Sequence, residues 1–309
     1  MQRIICVLSL LIVSLALSGQ TINSEWGRND QRGAINRIGP AEIISAAGLI
    51  KEGIIIELGH TYDEQLMLSK NRSYQLDIPD SLRFGPRGRN KIVYNVELVQ
   101  GTLSQIGTQF DGLGHVGRRN AQGEDIYYNG FKGSDIVTEK GLVKLGIENV
   151  GAFFTRGILI DLPYYKQVRY LEKGYKITFD DLMSTLRKEQ VDIRQGDVVL
   201  IRTGIGQFWN EPGVFNNAPG LELKAIKWLA QQKVVMIGSD NNAVEAISDN
   251  GENSLQGHEE LLINQGIYLF ENLNLEQLSE KKVYEFAFSY APLKLRGATG
   301  SPGNPIAIY

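Results

Sequence analysis

Short apolar runs alternate with helix-like segments along the second half of the chain. The runs GILIDL, DVVLIRTG, KVVMIGSD, IYLFENLN and VYEFAFSYAPLK are rich in β-branched and aromatic residues and predict strands. Between them, TFDDLMSTLRKEQ, LELKAIKWLAQQ and HEELLINQG predict helices, the first with Thr178 and Asp181 spaced as a capping box. Because the strands are apolar throughout, the alternation predicts an α/β domain whose sheet is covered on its faces.

The first half is less regular. GPAEIISAAGLI predicts a helix opened by Pro40, and GIIIELGH and KIVYNVELVQG predict strands. RFGPRGRN is the most basic stretch, and its Gly and Pro predict an exposed loop, with a contact to a substrate anion as the alternative. Neither an internal repeat nor a low-complexity linker follows residue 18, so residues 19–309 are predicted to form a single domain.

The N-terminus has the pattern of a secretory signal. Met1-Gln2-Arg3 gives a positive start, the apolar run from Ile4 to Leu17 is short for a spanning helix, and Ala16 and Ser18 match a cleavage site. This predicts a signal peptide over residues 1–18 and a periplasmic or secreted protein, with an uncleaved membrane anchor as the alternative. Cys6, the single cysteine, lies inside this segment, so the mature chain would have neither a disulfide nor a thiol nucleophile.

Size and charge narrow the possible functions. A chain of 309 residues with a net charge of −3 can bury a substantial core. Its near-neutral balance and short basic clusters give no electrostatic footprint for nucleic acid.

GTQFDGLGHVG, residues 107–117, holds the densest candidate chemistry. His115 is one of three histidines and follows Asp111 by four residues. If residues 105–111 are extended, Gln105, Gln109 and Asp111 share one face. Asp111 would then be a hard anionic ligand and His115 a ligand or a general base. A glycine-rich turn without function is the alternative.

Later segments supply further ligand types. His258 falls at a predicted helix start and Glu271 on the following strand, so both could meet Asp111 at one end of the sheet. An imidazole and two carboxylates suit Zn²⁺ or Mn²⁺. In GSDNNAVE, Asp240 and Glu245 follow a buried strand and are candidates for orienting a ligand or lining the pocket, although a strand-to-loop turn explains such residues equally well.

QIGTQFDGLGH, residues 105–115, resembles the H-x-G-T-H-x-D-x-P-x-H motif of the cyclase family that includes bacterial kynurenine formamidase and isatin hydrolase. The resemblance extends in order through EWGRNDQRGAINRIGP, GDVVLIRTG, GSDNNAVE, HEELLINQGIYLFENLN and APLKLRGATGSPGNPIAI. It implies the swivelling β/β/α fold, with mixed sheets and flanking helices, and a homo-oligomer.

The same resemblance implies roles for individual residues. Gln105 and Gln109 occupy the positions of two metal-binding histidines, Asp111 that of the shared aspartate ligand, and His115 that of the catalytic histidine. His258 and Glu271 match the second pair of ligands. His60, in the block ELGHTYD, falls close to the expected rim of the site and is a substrate-binding candidate. Asp240 is the second such candidate, because it follows a buried strand.

Two amides in place of two imidazoles are the main departure from the motif, and Leu113 replaces its proline. Amide oxygens are weak, uncharged ligands, so we expect one divalent ion, Mn²⁺ or Zn²⁺, rather than two. The GTQxD version is interpreted as a branch of the family.

The function implied is hydrolysis of a carbon–nitrogen bond in an aryl formamide or a cyclic amide. The metal would polarise the carbonyl and lower the pKa of the water that serves as nucleophile, and His115 would act as general acid and base. The alternatives are a metal-free periplasmic protein that binds a small molecule, and a lactone hydrolase or dehydratase of the same family.

Overall fold

The computed structural model describes residues 24–64, 71–211, 218–246 and 254–309. The segment predicted as a signal peptide lies outside these ranges. No helix within them is long and apolar enough to span a lipid bilayer.

Strands outnumber helices in the described residues. The strands of the first half are β1 (Ile55–Glu57), β2 (Tyr74–Asp77), β3 (Arg83–Arg87), β4 (Ile92–Asn95), β5 (Leu98–Gly101), β6 (Gln109–Asp111), β7 (Arg118–Arg119), β8 (Asp125–Ile126), β9 (Val137–Thr138) and β10 (Gly141–Leu142). Those of the second half are β11 (Phe153–Asp161), β12 (Lys176–Ile177), β13 (Val198–Arg202), β14 (Gly220–Leu221), β15 (Met236–Ser239), β16 (Tyr268–Glu271), β17 (Glu285–Tyr290), β18 (Gly300–Pro302) and β19 (Ile306–Ile308).

The helices are short. They are α1 (Pro40–Ala47), α2 (Gly133–Ile136), α3 (Leu162–Lys166), α4 (Phe179–Glu189), α5 (Leu223–Gln231), α6 (Gln256–His258) and α7 (Glu276–Lys281). A π-helical segment, Glu259–Gln265, continues α6. The 3-10 turns are Gly33–Arg37, Asp80–Leu82, Leu103–Gln105, Tyr128–Gly130, Ile147–Asn149 and Ile205–Phe208.

One mixed sheet of nine strands organises the molecule, in the order β1-β19-β17-β11-β13-β15-β16-β6-β18. Its centre, β11-β13-β15-β16, is parallel, and the strands on either side run antiparallel. Every residue of β13, β15 and β16 is buried, as the apolar runs predicted. The predicted mixed α/β class is confirmed, and the parallel strands bring their carboxyl ends to one edge.

The helix predictions follow the same pattern. α4 carries the capping box: Oγ1 of Thr178 accepts from the Asp181 amide at 3.1 Å, and the Asp181 carboxylate accepts from the Thr178 amide at 3.0 Å. Pro40 opens α1 as predicted. HEELLINQG is helical but largely of the π type.

The predictions for residues 83–101 are only partly confirmed. RFGPRGRN is largely exposed as predicted, but β3 occupies its first five residues, so it is not a loop throughout. KIVYNVELVQG is extended as predicted, but it is divided into two strands. β4 pairs with β3, whereas β5 pairs with β2. Stacking of Phe84 on Tyr94, with ring centroids 4.9 Å apart, holds the β3–β4 hairpin together. We call residues 74–101 the β-arm; its exposed apolar side chains are Leu76, Ile78, Ile92, Val93, Tyr94, Val96, Leu98 and Val99.

Candidate metal centre

Strand β6 carries two of the candidate ligands on one face. It lies between β16 and β18, and Phe110 at its middle packs on Tyr268 and Phe153 with ring centroids 5.1 and 5.5 Å away. Because successive side chains of a strand point to opposite faces, Gln109 and Asp111 both lie on the other face. The aromatic cluster behind the strand therefore fixes the position of the polar face in front.

Gln105 reaches the same place by another route. The extended conformation assumed for residues 105–111 is wrong, because Gln105 ends a 3-10 turn and Gly107 adopts a φ of +64°. A Cβ at Gly107 would lie 2.7 Å from the ring of Tyr62, so this close approach needs glycine. Nε2 of Gln105 nevertheless donates to Oδ1 of Asp111 at 2.9 Å.

Asp111, His258 and Glu271 converge as the sequence predicted. Nε2 of His258 lies 3.3 Å from Oε1 of Glu271 and 3.7 Å from Oδ2 of Asp111. All three residues are buried. Glu271 is the last residue of β16, directly opposite Gln109 of β6, and His258 ends α6. The three groups thus come from three elements: Glu271 from the carboxyl end of the parallel strand β16, Asp111 from its antiparallel neighbour β6, and His258 from α6.

His115 stands at the exposed side of this cluster. Its backbone amide donates to the Gly112 carbonyl at 3.0 Å, and this turn brings Nε2 to 3.9 Å from Oδ1 of Asp111. The side chain is 24% exposed, whereas that of Asp111 is fully buried, so His115 is the member of the cluster that an incoming molecule can touch. Asp111, His115 and His258 each offer one ligand atom within 4.8 Å of the others, which makes them a possible metal site.

Unsatisfied polar atoms at this place fit a divalent cation. Within the part of the chain that the structure describes, Oδ2 of Asp111 and Oε1 of Gln109 are buried without a hydrogen-bond partner. Such atoms are costly unless something pairs with them. Two carboxylates, an imidazole and an amide oxygen form a donor set that suits Mn²⁺ or Zn²⁺. The residues therefore fit the metal that the sequence predicted.

The electrostatics point the same way. Burial and the neighbouring Asp111 raise the pKa of Glu271 to about 7. Burial alone would lower the pKa of His258, but its contacts with Asp111, Glu245 and Glu271 raise it well above its ordinary value. Burial would raise the pKa of Asp111, and the nearby histidines lower it instead. The cluster has an excess of negative charge that a bound cation would neutralise.

His60 lies beside the strand that carries the ligands. Its backbone amide donates to Oγ1 of Thr108, the residue before β6, at 2.8 Å. Its ring stacks on Trp209 with centroids 4.5 Å apart and planes inclined by 9°. Burial lowers the pKa of His60 to about 4, so the ring is neutral at pH 7. Its predicted role in substrate binding stays a prediction.

Asp240 is deeper than a pocket-lining residue. It is fully buried, and its carboxylate accepts from the Thr203 amide at 2.8 Å, the Thr203 hydroxyl at 2.7 Å and the Gly204 amide at 2.7 Å. Burial raises the pKa of Asp240 to about 6, although the bonds from Thr203 lower it. These contacts hold the loop after β13, and the predicted contact with substrate stays a prediction.

Some residues near the site had no clear signal in the sequence. Trp209 stacks on His60 but lies in a segment without a recognisable pattern. Tyr62 lies in the block ELGHTYD, but nothing in that block predicts that its ring approaches Gly107. Glu245 was a candidate only through its place after a buried strand, and that place does not reveal its partner. In the structure its carboxylate contacts His258.

Comparison with known proteins places the chain in a family. The family model described as "Putative cyclase" matches residues 56–246. A crystal structure described as a novel cyclase is 31% identical, covers 92% of this chain and 96% of its own, and superposes with a TM-score of 0.81. The chain therefore belongs to this cyclase family. No curated protein sequence matches it.

More distant structures share the fold. An isatin hydrolase bound to the product analogue thioisatinate is 18% identical, covers 87% of this chain and 98% of its own, and has a TM-score of 0.57. A predicted metal-dependent hydrolase from Bacillus stearothermophilus is also 18% identical, covers 83% and 98%, and has a TM-score of 0.52. At this level of identity the likeness concerns the fold.

Proposed function

We propose that the protein is a metal-dependent hydrolase that cleaves a carbon–nitrogen bond in a small cyclic amide or aryl formamide. The observation that carries the proposal is the buried group of Asp111, His258 and Glu271 beside the partly exposed His115, in which Oδ2 of Asp111 has no hydrogen-bond donor among the described residues. The fold shared with an isatin hydrolase and a metal-dependent hydrolase supports it.

The chain's own residues divide the chemistry between them. Oδ2 of Asp111, Nε2 of His258 and Oε1 of Glu271 face one another and would hold the ion. When bound, a divalent ion supplies a Lewis acid that polarises a carbonyl and lowers the pKa of water. His115 takes the proton of the attacking water and returns it to the leaving nitrogen. It is suited to this role because it lies on the exposed side of the cluster, where a substrate can reach it.

The aromatic surroundings favour a flat substrate. His60 and Trp209 form a stacked pair beside β6, and burial keeps His60 neutral. A neutral aromatic surface suits a neutral aryl or fused cyclic amide better than it suits an anionic substrate. The test is a panel of aryl formamides, lactams and lactones assayed with Mn²⁺- and Zn²⁺-loaded protein.

We expect turnover of an amide that requires the metal and is lost in Asp111→Asn. Glu139→Gln, an exposed carboxylate change, is the matched control and should keep activity. Turnover of lactones alone would replace the amidase assignment with a lactone hydrolase. Metal-independent turnover, or none across the panel with metal bound, would contradict the proposal.

One observation favours the second candidate, a metal-free binding protein. The amide of Gln105 donates to Asp111 at 2.9 Å and that of Gln109 to Glu271 at 2.7 Å, so each carboxylate already has one partner without any metal. Calorimetry separates the two candidates. A binding protein would bind a small molecule after treatment with a chelator and would show no affinity for Mn²⁺ or Zn²⁺.

Export and assembly belong to the same proposal. We propose that residues 1–18 are removed on export to the periplasm or medium, for which the charged start and the short apolar run are the support. We also propose a homo-oligomer. The exposed apolar side chains of the β-arm support it, since so many in one segment of 28 residues are unusual for a monomer. Light scattering of the purified protein gives the subunit number.

A further inference from the structure

Glu245 holds the imidazole of His258 from behind. Nδ1 of His258 lies 2.8 Å from Oε1 and 2.9 Å from Oε2 of Glu245. Both residues are buried, with 4% and 5% of their surfaces exposed. A carboxylate this close to Nδ1 accepts a hydrogen bond from Nδ1–H, so in the neutral imidazole, the form that binds a metal, the lone pair is on Nε2 at the opposite side of the ring.

The backbone around Glu245 is built to hold that contact. Val244 takes a left-handed φ of 56°, and its amide donates to Oδ1 of Asn241 at 2.8 Å. The next amide, of Ala246, donates to the Leu221 carbonyl at 2.9 Å. The segment is thus tied both to the residues after β15 and to β14, which fixes the backbone on either side of Glu245.

Two glycines make room for Glu245. A Cβ on Gly257, the residue before His258, would lie 2.7 Å from Oε2 of Glu245. A Cβ on Gly220 would clash with the Glu245 carbonyl carbon. A larger residue at either position would therefore require a shift of Glu245 or of its neighbours.

We propose that Glu245 is a positioning residue for the metal: it fixes the Nδ1–H tautomer of His258 and directs the Nε2 lone pair at Asp111 and Glu271. The proposal rests on the proposed metal site. Glu245 itself is not a ligand in this arrangement, because the imidazole ring stands between its carboxylate and the two facing carboxylates. A carboxylate in this position also makes the imidazole a stronger donor.

The first test is metal affinity. Metal-stripped protein is titrated with Zn²⁺ and with Mn²⁺ in a calorimeter for wild type, Glu245→Gln and Glu245→Ala. Loss of such an outer carboxylate weakens metal binding by roughly 10- to 100-fold, which we expect for Glu245→Ala. Glu245→Gln should lose less, because its amide oxygen still accepts from Nδ1. Glu189→Gln removes another buried carboxylate, whose described contact is the Asp161 amide, and should bind as wild type.

The second test needs no metal. In the metal-free protein, nitrogen-15 spectra should show an Nδ1–H of His258 that is protected from exchange with solvent. The chain has only three histidines, so His258→Gln assigns the signal. Protection should persist in Glu245→Gln and vanish in Glu245→Ala. If Glu245→Ala does not fold, Glu245→Asp, whose shorter side chain withdraws the carboxylate, takes its place with the same expectations.

The outcomes separate this proposal from the proposed function. Unchanged metal affinity in Glu245→Ala, or unchanged protection of Nδ1–H, would overturn the positioning role. So would complete loss of metal in both Glu245→Ala and Glu245→Gln with Nδ1–H still protected, since Glu245 would then be a ligand. If wild type binds no metal while Nδ1–H protection still depends on Glu245, the proposed function and the metal-directing role fail together, and only the anchoring of the ring survives.

Discussion

Gln109 and Glu271 face each other across the β6–β16 ladder, and Nε2 of Gln109 donates to Oε2 of Glu271 at 2.7 Å. This amide occupies a position where the family's motif, as the sequence resemblance implies, has an imidazole. Nε2 of Gln105 makes the equivalent bond to Oδ1 of Asp111 at 2.9 Å. Each amide therefore engages one carboxylate oxygen and leaves the other, Oε1 of Glu271 or Oδ2 of Asp111, facing His258.

Metal stoichiometry is the first prediction. Because one oxygen of each carboxylate is taken by an amide, we expect about one ion per chain, measured by mass spectrometry of the metals in purified protein. The double variant Gln105→His, Gln109→His replaces both amides by nitrogen ligands and should raise the Zn²⁺ content towards two.

The control adds two histidines elsewhere. Gln122→His and Gln167→His lie at exposed positions and should leave the content at one. Wild-type protein that holds two tightly bound ions, or none at any accessible Mn²⁺ concentration, would contradict the account of the two amides.

The second prediction concerns His115. Its Nε2 is 3.9 Å from Oδ1 of Asp111, an oxygen that already accepts from Gln105, and its side chain is partly exposed. We therefore assign it to proton transfer rather than to the metal. His115→Ala should keep its metal and lower kcat by roughly a hundred- to ten-thousandfold. Asp111→Asn should lose metal and activity together, because it removes a charged ligand.

Metal analysis and steady-state kinetics on the same preparations decide this point. Since Asp111, His115 and His258 also form a compact potential ligand set, loss of the metal in His115→Ala would make His115 a ligand. The base would then have to be sought elsewhere, with His60 the next candidate. Retention of both metal and turnover would leave His115 without a role in the reaction.

The contrast between Gln109 and Gln105 shows which site residues the local sequence pattern can place and which it cannot. Gln109 and Asp111 share a face because a strand alternates, and alternation is readable from the sequence. Gln105 reaches Asp111 through a 3-10 turn and the left-handed Gly107, which lies against the ring of Tyr62, more than forty residues earlier in the sequence. Local pattern holds no information about that ring.

The same limit explains the β-arm and Glu245. KIVYNVELVQG has the composition of one long strand, but its two parts pair with different partners, and pairing is a long-range property. Glu245 and His258 are 13 residues apart and belong to two different segments, so the local pattern around either residue does not predict their contact. The parallel core was predictable because its strands are mostly apolar and are buried at every position.

Glu189 provides a pH-dependent prediction away from the site. Burial, with a smaller contribution from Asp161, raises the pKa of Glu189 to about 8. Its Oε1 accepts from the Asp161 amide at 2.9 Å, whereas Oε2 is buried with no partner in the described part of the chain. A carboxyl whose pKa is raised on folding stabilises the native state fully below its unfolded pKa, and this contribution is lost as the pH rises through the folded pKa.

We therefore expect the stability of wild type to fall between about pH 5 and 8.5 by more than that of Glu189→Gln, with a difference on the order of a few kcal/mol. Glutamine keeps the acceptor for the Asp161 amide and cannot ionise. Urea unfolding at both pH values measures this difference in stability. The protein must be metal-free, because metal binding would add its own pH dependence. Exposed Glu139→Gln is the control. Parallel pH profiles of wild type and Glu189→Gln would show that Glu189 ionises freely in the folded protein.

The last prediction decides between two roles for Asp240, binding substrate or holding the loop after β13. Its carboxylate accepts three bonds from Thr203 and Gly204 at 2.7 to 2.8 Å in a fully buried setting. Asp240→Asn turns one acceptor into a donor that faces N–H groups, so the free energy of unfolding should drop by about 2–3 kcal/mol at pH 7.5. Asp80→Asn, an exposed carboxylate on the β-arm, should change it by less than about 0.5 kcal/mol. Urea unfolding measures both, and KM for a substrate found in the panel is the second reading. If Asp240→Asn unfolds like wild type while KM rises, the carboxylate binds substrate and the loop does not depend on it.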